Sequence, residues 1–189
     1  MNSKTLPLAL AVSLALISPA IPLVVEGYKF PTERVVSGKE LALNGSGVRS
    51  VKFGPLPIKA YVATFYTAAP LRSEKAVLAS TGPFQFDFKF LKEVSQKQVT
   101  KAWKAQLEAS NSHDYEGLES DKAKFVSFFG PLSKGGTETI VIDGDETRAY
   151  DNGKLKGSIK GRDFQRAFLS LWFGDKPVAP SLKKDLLGI

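Results

Sequence analysis

The chain has 189 residues, a formal charge of +7, no cysteine and a single histidine. This length suits one domain with a sizeable single core. The missing cysteine excludes disulfides and thiolate chemistry, the lone histidine excludes a multi-histidine metal site, and no cofactor motif is present. Basic residues are scattered apart from the run Lys154–Lys160. With no groove-reading motif, nucleic acid is not an expected partner, and a mildly basic surface suits anionic ligands or lipid surfaces instead. Thirteen phenylalanines point to a broad aromatic interior or cavity.

Met1–Lys4 is a short basic start, Leu6–Ile17 an apolar run, and Ser18-Pro19-Ala20 carries small residues suited to a cut after Ala20. That is the grammar of a secretory signal. The uncharged run from Thr5 to Val25 is also just long enough to act as a membrane anchor. Pro7, Pro19 and Pro22 interrupt it and favour the signal. Residues 1–20 are therefore set apart as signal peptide or anchor, and 21–189 as the folded domain. The expected location is periplasmic, secreted or lumenal, with membrane anchoring or a plastid as alternatives. Membrane contact is expected only through an uncleaved N-terminal segment.

Val35–Leu43 contains a strand that ends at Asn44-Gly45. Val48–Phe53 and Ile58–Tyr66 read as the arms of a hairpin across Gly54-Pro55-Leu56-Pro57. Leu71–Ser80 reads as a short helix stopped by Thr81-Gly82-Pro83. In Phe84–Phe90, Phe84, Phe86, Phe88 and Phe90 alternate strictly with Gln85, Asp87 and Lys89. A strand puts those rings on one face, either as ordinary core or as the wall of an apolar cavity.

Ser95 and Gln98 form a capping box that opens a helix through about Glu108, with Val99, Ala102, Trp103, Gln106 and Leu107 as its inward stripe. A second helix is expected from about Asp114 to Phe129, with His113 in the loop before it as a structural or solvated residue. Thr137–Ile142 reads as a strand, and the acidic turn Asp143–Glu146 lacks the full calcium-loop pattern. Thr147–Asp151 and Lys154–Ile159 form a hairpin across Asn152-Gly153. Arg162–Phe173 is an amphipathic helix with Gly174 as its cap, and Ser181 is expected to cap a last short helix. The order of strands, helices, strands and helix predicts an α+β fold, an antiparallel sheet covered by helices on one face.

Arg49 and Tyr61 lie on the two arms of the first hairpin. Such a pair can aim a planar fork of donors and a phenol at one carboxylate. The bland alternative is a solvated arginine and a packed tyrosine.

The stretches GSGVRSVKF and IKAYVATFYT, followed by FQRAFLSLWFGDKPVAPSLKKDLLG, resemble the chalcone isomerase-like superfamily across roughly Gly27–Gly188. The resemblance implies an open-faced β-sandwich with a ligand cleft between sheet and helices. True chalcone isomerases surround the motif arginine with a Thr on the next strand, a Tyr and an Asn near a helix, and a Thr on the closing helix. Here the first falls at Tyr61, the next two in Val94–Ala102, where neither occurs, and the last at about Ala167. Only Arg49 survives, so no catalytic residue is assigned. The non-catalytic class includes fatty-acid-binding proteins that pair the motif arginine with a tyrosine on the following strand. Arg49 and Tyr61 fit that pattern. The resemblance thus implies a non-enzymatic binder of a fatty acid or similar apolar carboxylate. A chalcone isomerase-type lyase and an interaction protein without a small ligand are the alternatives.

Overall fold

The computed structural model describes residues 21–53, 55–109 and 117–189. Among the described residues the strands are β1 (Leu23–Val25), β2 (Tyr28–Phe30), β3 (Glu33–Val36), β4 (Lys39–Phe53), β5 (Leu56–Thr67), β6 (Phe84–Phe90), β7 (Thr137–Asp143), β8 (Glu146–Asp151) and β9 (Lys154–Lys160). Five helices accompany them: α1 (Glu74–Ala79), α2 (Gln96–Ala109), α3 (Glu119–Ser127), α4 (Arg162–Phe173) and α5 (Pro180–Leu187). The strands β3 to β9 form one curled antiparallel sheet in sequence order, and β1 and β2 make a separate two-stranded ribbon. This is the α+β architecture expected from the sequence.

The alternation of β6 divides the molecule. Phe84, Phe86, Phe88 and Phe90 are all buried on the helical side. There Phe86 stacks on Phe65 at 4.4 Å between ring centroids and meets Phe168 edge-on at 5.7 Å. Aromatic pairs at such distances add to the stabilisation from burial itself. On the other side Asp87 is buried beneath Arg34, which donates from Nε at 3.0 Å and from Nη2 at 2.5 Å to Oδ2. Thr139 Oγ1 and Gln85 Nε2 donate to Oδ1 at 2.9 and 2.8 Å. The buried carboxylate thus has donors on both oxygens, as its desolvation demands. Tyr66, Val36, Leu41 and Val141 close a small apolar cluster on this face, and the β1–β2 ribbon packs a second around Phe30 and Val62.

The structure corrects several expected boundaries. The stretch Val35–Leu43 is not one strand. The chain turns at Ser37 and Gly38, both with positive φ (48° and 78°), and β3 and β4 pair across them. That geometry is a tight turn whose twist matches the strands. Asn44-Gly45 does not end a strand either: β4 runs on through a bulge there. Asn44 is buried, donating to Leu71 O at 2.9 Å and Leu186 O at 2.8 Å. Gly45 and Gly47 bring β4 against α5, and a Cβ on Gly45 would lie 2.2 Å from Asp185 O.

The third helix begins at Glu119 rather than near Asp114, while His113 falls outside the described residues. Ser181 lies inside α5, whose N-cap is Ala179 with Pro180 in the first turn. Proline suits that place because its missing N–H would have no helical partner. Gly174 does follow α4, its N–H donating to Ser170 O at 3.0 Å.

Candidate functional site

Between the sheet and α2 and α4 lies a cavity of about 70 Å³. The sheet contributes Tyr61, Phe88, Phe90 and Glu138, α2 contributes Val99, Ala102, Trp103 and Gln106, and α4 contributes Trp172. The Phe stripe of β6 is thus split along its length. Phe84 and Phe86 are core, while Phe88 and Phe90 are core on one side and cavity wall on the other.

Arg49 and Tyr61 are direct partners in the β4–β5 register, with a bulge immediately after Arg49. Opposite residues of an antiparallel pair project to the same face, their Cβ atoms roughly 5 Å apart. Both are half-buried. Arg49 is not part of the cavity wall; it stands one strand outward from Tyr61, and its Nη1 donates to Ser50 O at 3.2 Å. Burial pushes the Tyr61 phenol up to about 12, with the Trp172 N–H and the Arg49 guanidinium acting in the opposite direction. The phenol is therefore a hydrogen-bond donor at any physiological pH. Its ring meets Phe88 edge-on at 5.4 Å and Phe90 at 5.7 Å, which fixes its orientation.

The sequence reading missed Glu138. This residue is 1 % exposed, in phase with Ile140 and Ile142 on the cavity side of β7. Burial pushes its carboxyl up to about 8, helped by the charge of Asp151, its cross-strand partner, and opposed by the Trp103 indole. It is mostly neutral at pH 7. Its Oε1 has no hydrogen-bond partner, and neither has Trp172 Nε1, which lies close enough to favour the Tyr61 phenolate but falls short of hydrogen-bonding geometry. Trp103 was read as part of the inward stripe of its helix, and Trp172 lies on the apolar side of α4. They are core residues, but they also face this space. Among the described residues no group of His, Asp and Glu side chains could hold a metal ion.

The family model described as chalcone isomerase-like matches residues 23–188. The chain belongs to the chalcone isomerase-like family. No curated protein sequence matches it. Among solved structures, the crystal structure of a fatty-acid binding protein of Arabidopsis thaliana superposes with a TM-score of 0.69. The two are 16% identical, over 88% of this chain and 95% of that one. At that identity the match establishes the shared fold. In this family member the Gly45-Ser46-Gly47-Val48-Arg49 motif has two separable parts. The glycines serve the packing of α5, and the arginine stands beside the cavity.

Proposed function

We propose that this chain binds a fatty acid or similar apolar carboxylate without transforming it, with Arg49 and Tyr61 holding the carboxylate. The observation that carries the reading is the register: Arg49 stands directly opposite Tyr61, and Tyr61 lines an aromatic cavity. A guanidinium and a neutral phenol on one face offer an anion several donors beside an apolar wall, the usual composition of a small-ligand site. The fatty-acid binding function of the structurally similar Arabidopsis protein supports the same reading. An acyl chain would run from this pair past Phe88 and Phe90, and the cavity of about 70 Å³ would have to widen between the sheet and α2 and α4 to take it.

Titration of dodecanoic acid and its methyl ester tests it. Arg49→Ala is expected to weaken acid binding by about 2–5 kcal/mol, because the buried anion loses its charged partner. Tyr61→Phe is expected to cost about 0.5–1.5 kcal/mol, the worth of one neutral hydrogen bond. Arg49→Lys restores only part, since an ammonium lacks the planar fork. The ester binds wild type weakly and loses little more on Arg49→Ala. Equal acid affinity in wild type and Arg49→Ala would end the carboxylate assignment.

A further inference from the structure

A plain acyl chain leaves two groups of this cavity unanswered. Glu138 Oε1 and Trp172 Nε1 are both buried without a hydrogen-bond partner, and both residues line the cavity. Native proteins rarely leave buried polar atoms unpaired, and such atoms mark places where a partner is to be supplied. The two belong to one neighbourhood. Tyr61 feels both the Trp172 N–H and the Glu138 charge. In the sheet, Phe88 pairs with Glu138, and Phe90, two residues further along β6, pairs with Tyr61.

The chemistry of the pair selects the missing partner. An indole can only donate. A neutral carboxyl donates from one oxygen and accepts at both, so Oε1 accepts, and donates if it carries the proton. A hydroxyl answers either case, because it has one proton to give and two lone pairs to offer. A methylene answers neither atom. A cationic amine could answer the carboxyl and the aromatic walls, but it would leave the indole N–H unpaired.

We propose that the cavity is built for a hydroxylated apolar carboxylate, whose hydroxyl lies between Glu138 Oε1 and Trp172 Nε1 while its carboxylate is held at Arg49 and Tyr61. The inference rests on the carboxylate reading for the second end of the ligand. The hydroxyl site itself depends on Glu138 and Trp172 alone. Selectivity follows from desolvation: a ligand without the hydroxyl buries two unpaired polar atoms beneath its chain, whereas the hydroxylated ligand pairs both.

The test titrates dodecanoic acid, its 3-, 6-, 9- and 12-hydroxy derivatives, the methyl esters of all five, and dodecyltrimethylammonium against wild type, Glu138→Leu and Trp172→Phe. At least one hydroxy isomer is expected to bind wild type at least about tenfold more tightly than dodecanoic acid, a step of roughly 1.4 kcal/mol. The same preference is expected among the esters. Glu138→Leu should remove it, and Trp172→Phe should reduce it. In wild type, the carboxyl stretch of Glu138, read by isotope-edited infrared spectroscopy, should shift with the favoured hydroxy acid and not with dodecanoic acid.

If no isomer exceeds dodecanoic acid, a retained water answers the two atoms and the proposal falls. A preference that survives Glu138→Leu overturns it, and so does tighter binding of the ammonium than of every acid. The difference between acids and esters reports Arg49 and Tyr61 separately, so either site can fail while the other stands. Failure of every probe to bind overturns both.

Discussion

A methyl group added at Gly45 should unseat the last helix. Its Cβ would lie 2.2 Å from Asp185 O, 2.4 Å from Leu186 O and 2.6 Å from Leu186 C, all backbone atoms of α5. No rotamer change can relieve a clash with backbone, so the helix must retreat by about an ångström to reach ordinary van der Waals separation. That retreat loosens Leu182, Leu186 and Leu187, which are 0%, 0% and 3% exposed. It also stretches the bonds from Asn44 Nδ2 to Leu186 O and from Arg72 Nη1 to Leu187 O, at 2.8 and 2.9 Å. Overpacking costs roughly 1–3 kcal/mol, and a lost hydrogen bond roughly 1. Gly45→Ala is therefore expected to cost about 3–4 kcal/mol, near 10 °C in Tm for a chain of this size.

Gly47→Ala is the internal comparison. Its Cβ would meet Asp185 Oδ2 at 2.4 Å, Asp185 Cβ at 2.6 Å and Leu182 Cδ1 at 2.8 Å. The carboxylate and the leucine methyl can rotate away and only Asp185 Cβ, which its backbone fixes, must be displaced, so the penalty should be smaller than at Gly45, where all three atoms are backbone. Thermal unfolding followed by circular dichroism reads both. A Gly45→Ala protein that melts within a degree or two of wild type, or melts above Gly47→Ala, would refute the close-approach argument.

Glu138 carries a pH signature. Its folded-state value of about 8 lies above the ordinary 4.5, so between those values the folded chain holds a proton that the unfolded chain releases. Stability from this group is full below the unfolded value and is lost as pH rises toward about 8. Glu138→Gln should flatten the curve and stabilise the protein at pH 7, by up to roughly 3 kcal/mol; identical pH profiles in urea unfolding would contradict this. No stereoselective cyclisation of a chalcone is expected, because among the described residues no Thr or Asn lines the cavity with Tyr61. A flavanone product whose formation disappears in Arg49→Ala would reverse that expectation. We propose that the exported chain starts near Ile21, after Ser18-Pro19-Ala20; an intact mass from the native host that retains Met1–Ala20 on a membrane-bound species would argue for the anchor instead.

What the sequence disclosed depended on whether the signal was local. The strand Phe84–Phe90 and the helix Arg162–Phe173 match their expected bounds, because strict alternation and a long apolar stripe are decided within the segment. The Asn152-Gly153 turn was legible because asparagine and glycine both tolerate positive φ. The turns at Glu26-Gly27 and Ser37-Gly38 adopt the same kind of backbone, with φ of 51° and 78°, and 48° and 78°. Their first residues advertise it poorly, so the turn at Ser37-Gly38 was not foreseen inside the stretch Val35–Leu43. The bulge at Asn44 was hidden for a different reason: it is justified by α5, 142 residues away. Glu138 did carry a signal, since alternation puts it on the face of Ile140 and Ile142. An acid at the start of a strand is ordinarily solvated, and nothing local reveals that α2 covers this one.

A row of side chains across one face of the sheet would let the proposed site hold an anion next to a buried acid. Arg49, Tyr61, Phe88 with Phe90, and Glu138 come from four successive strands on one face. With strands roughly 4.8 Å apart, Arg49 and Glu138 are separated by three strand spacings, about 14 Å of backbone. A carboxylate at the Arg49 end therefore sits well away from Glu138, and Glu138 is mostly uncharged below about pH 8. An anion in the cavity would hold that proton more firmly still, as Asp151 already does from the neighbouring strand. With the proposed carboxylate bound, the acid would stay a neutral hydrogen-bonding group, and repulsion would be avoided by protonation rather than by distance alone. In the proposed site the same logic would separate the two ends chemically: the permanent charge of Arg49 would select for an anion, and the titratable group for a neutral polar function.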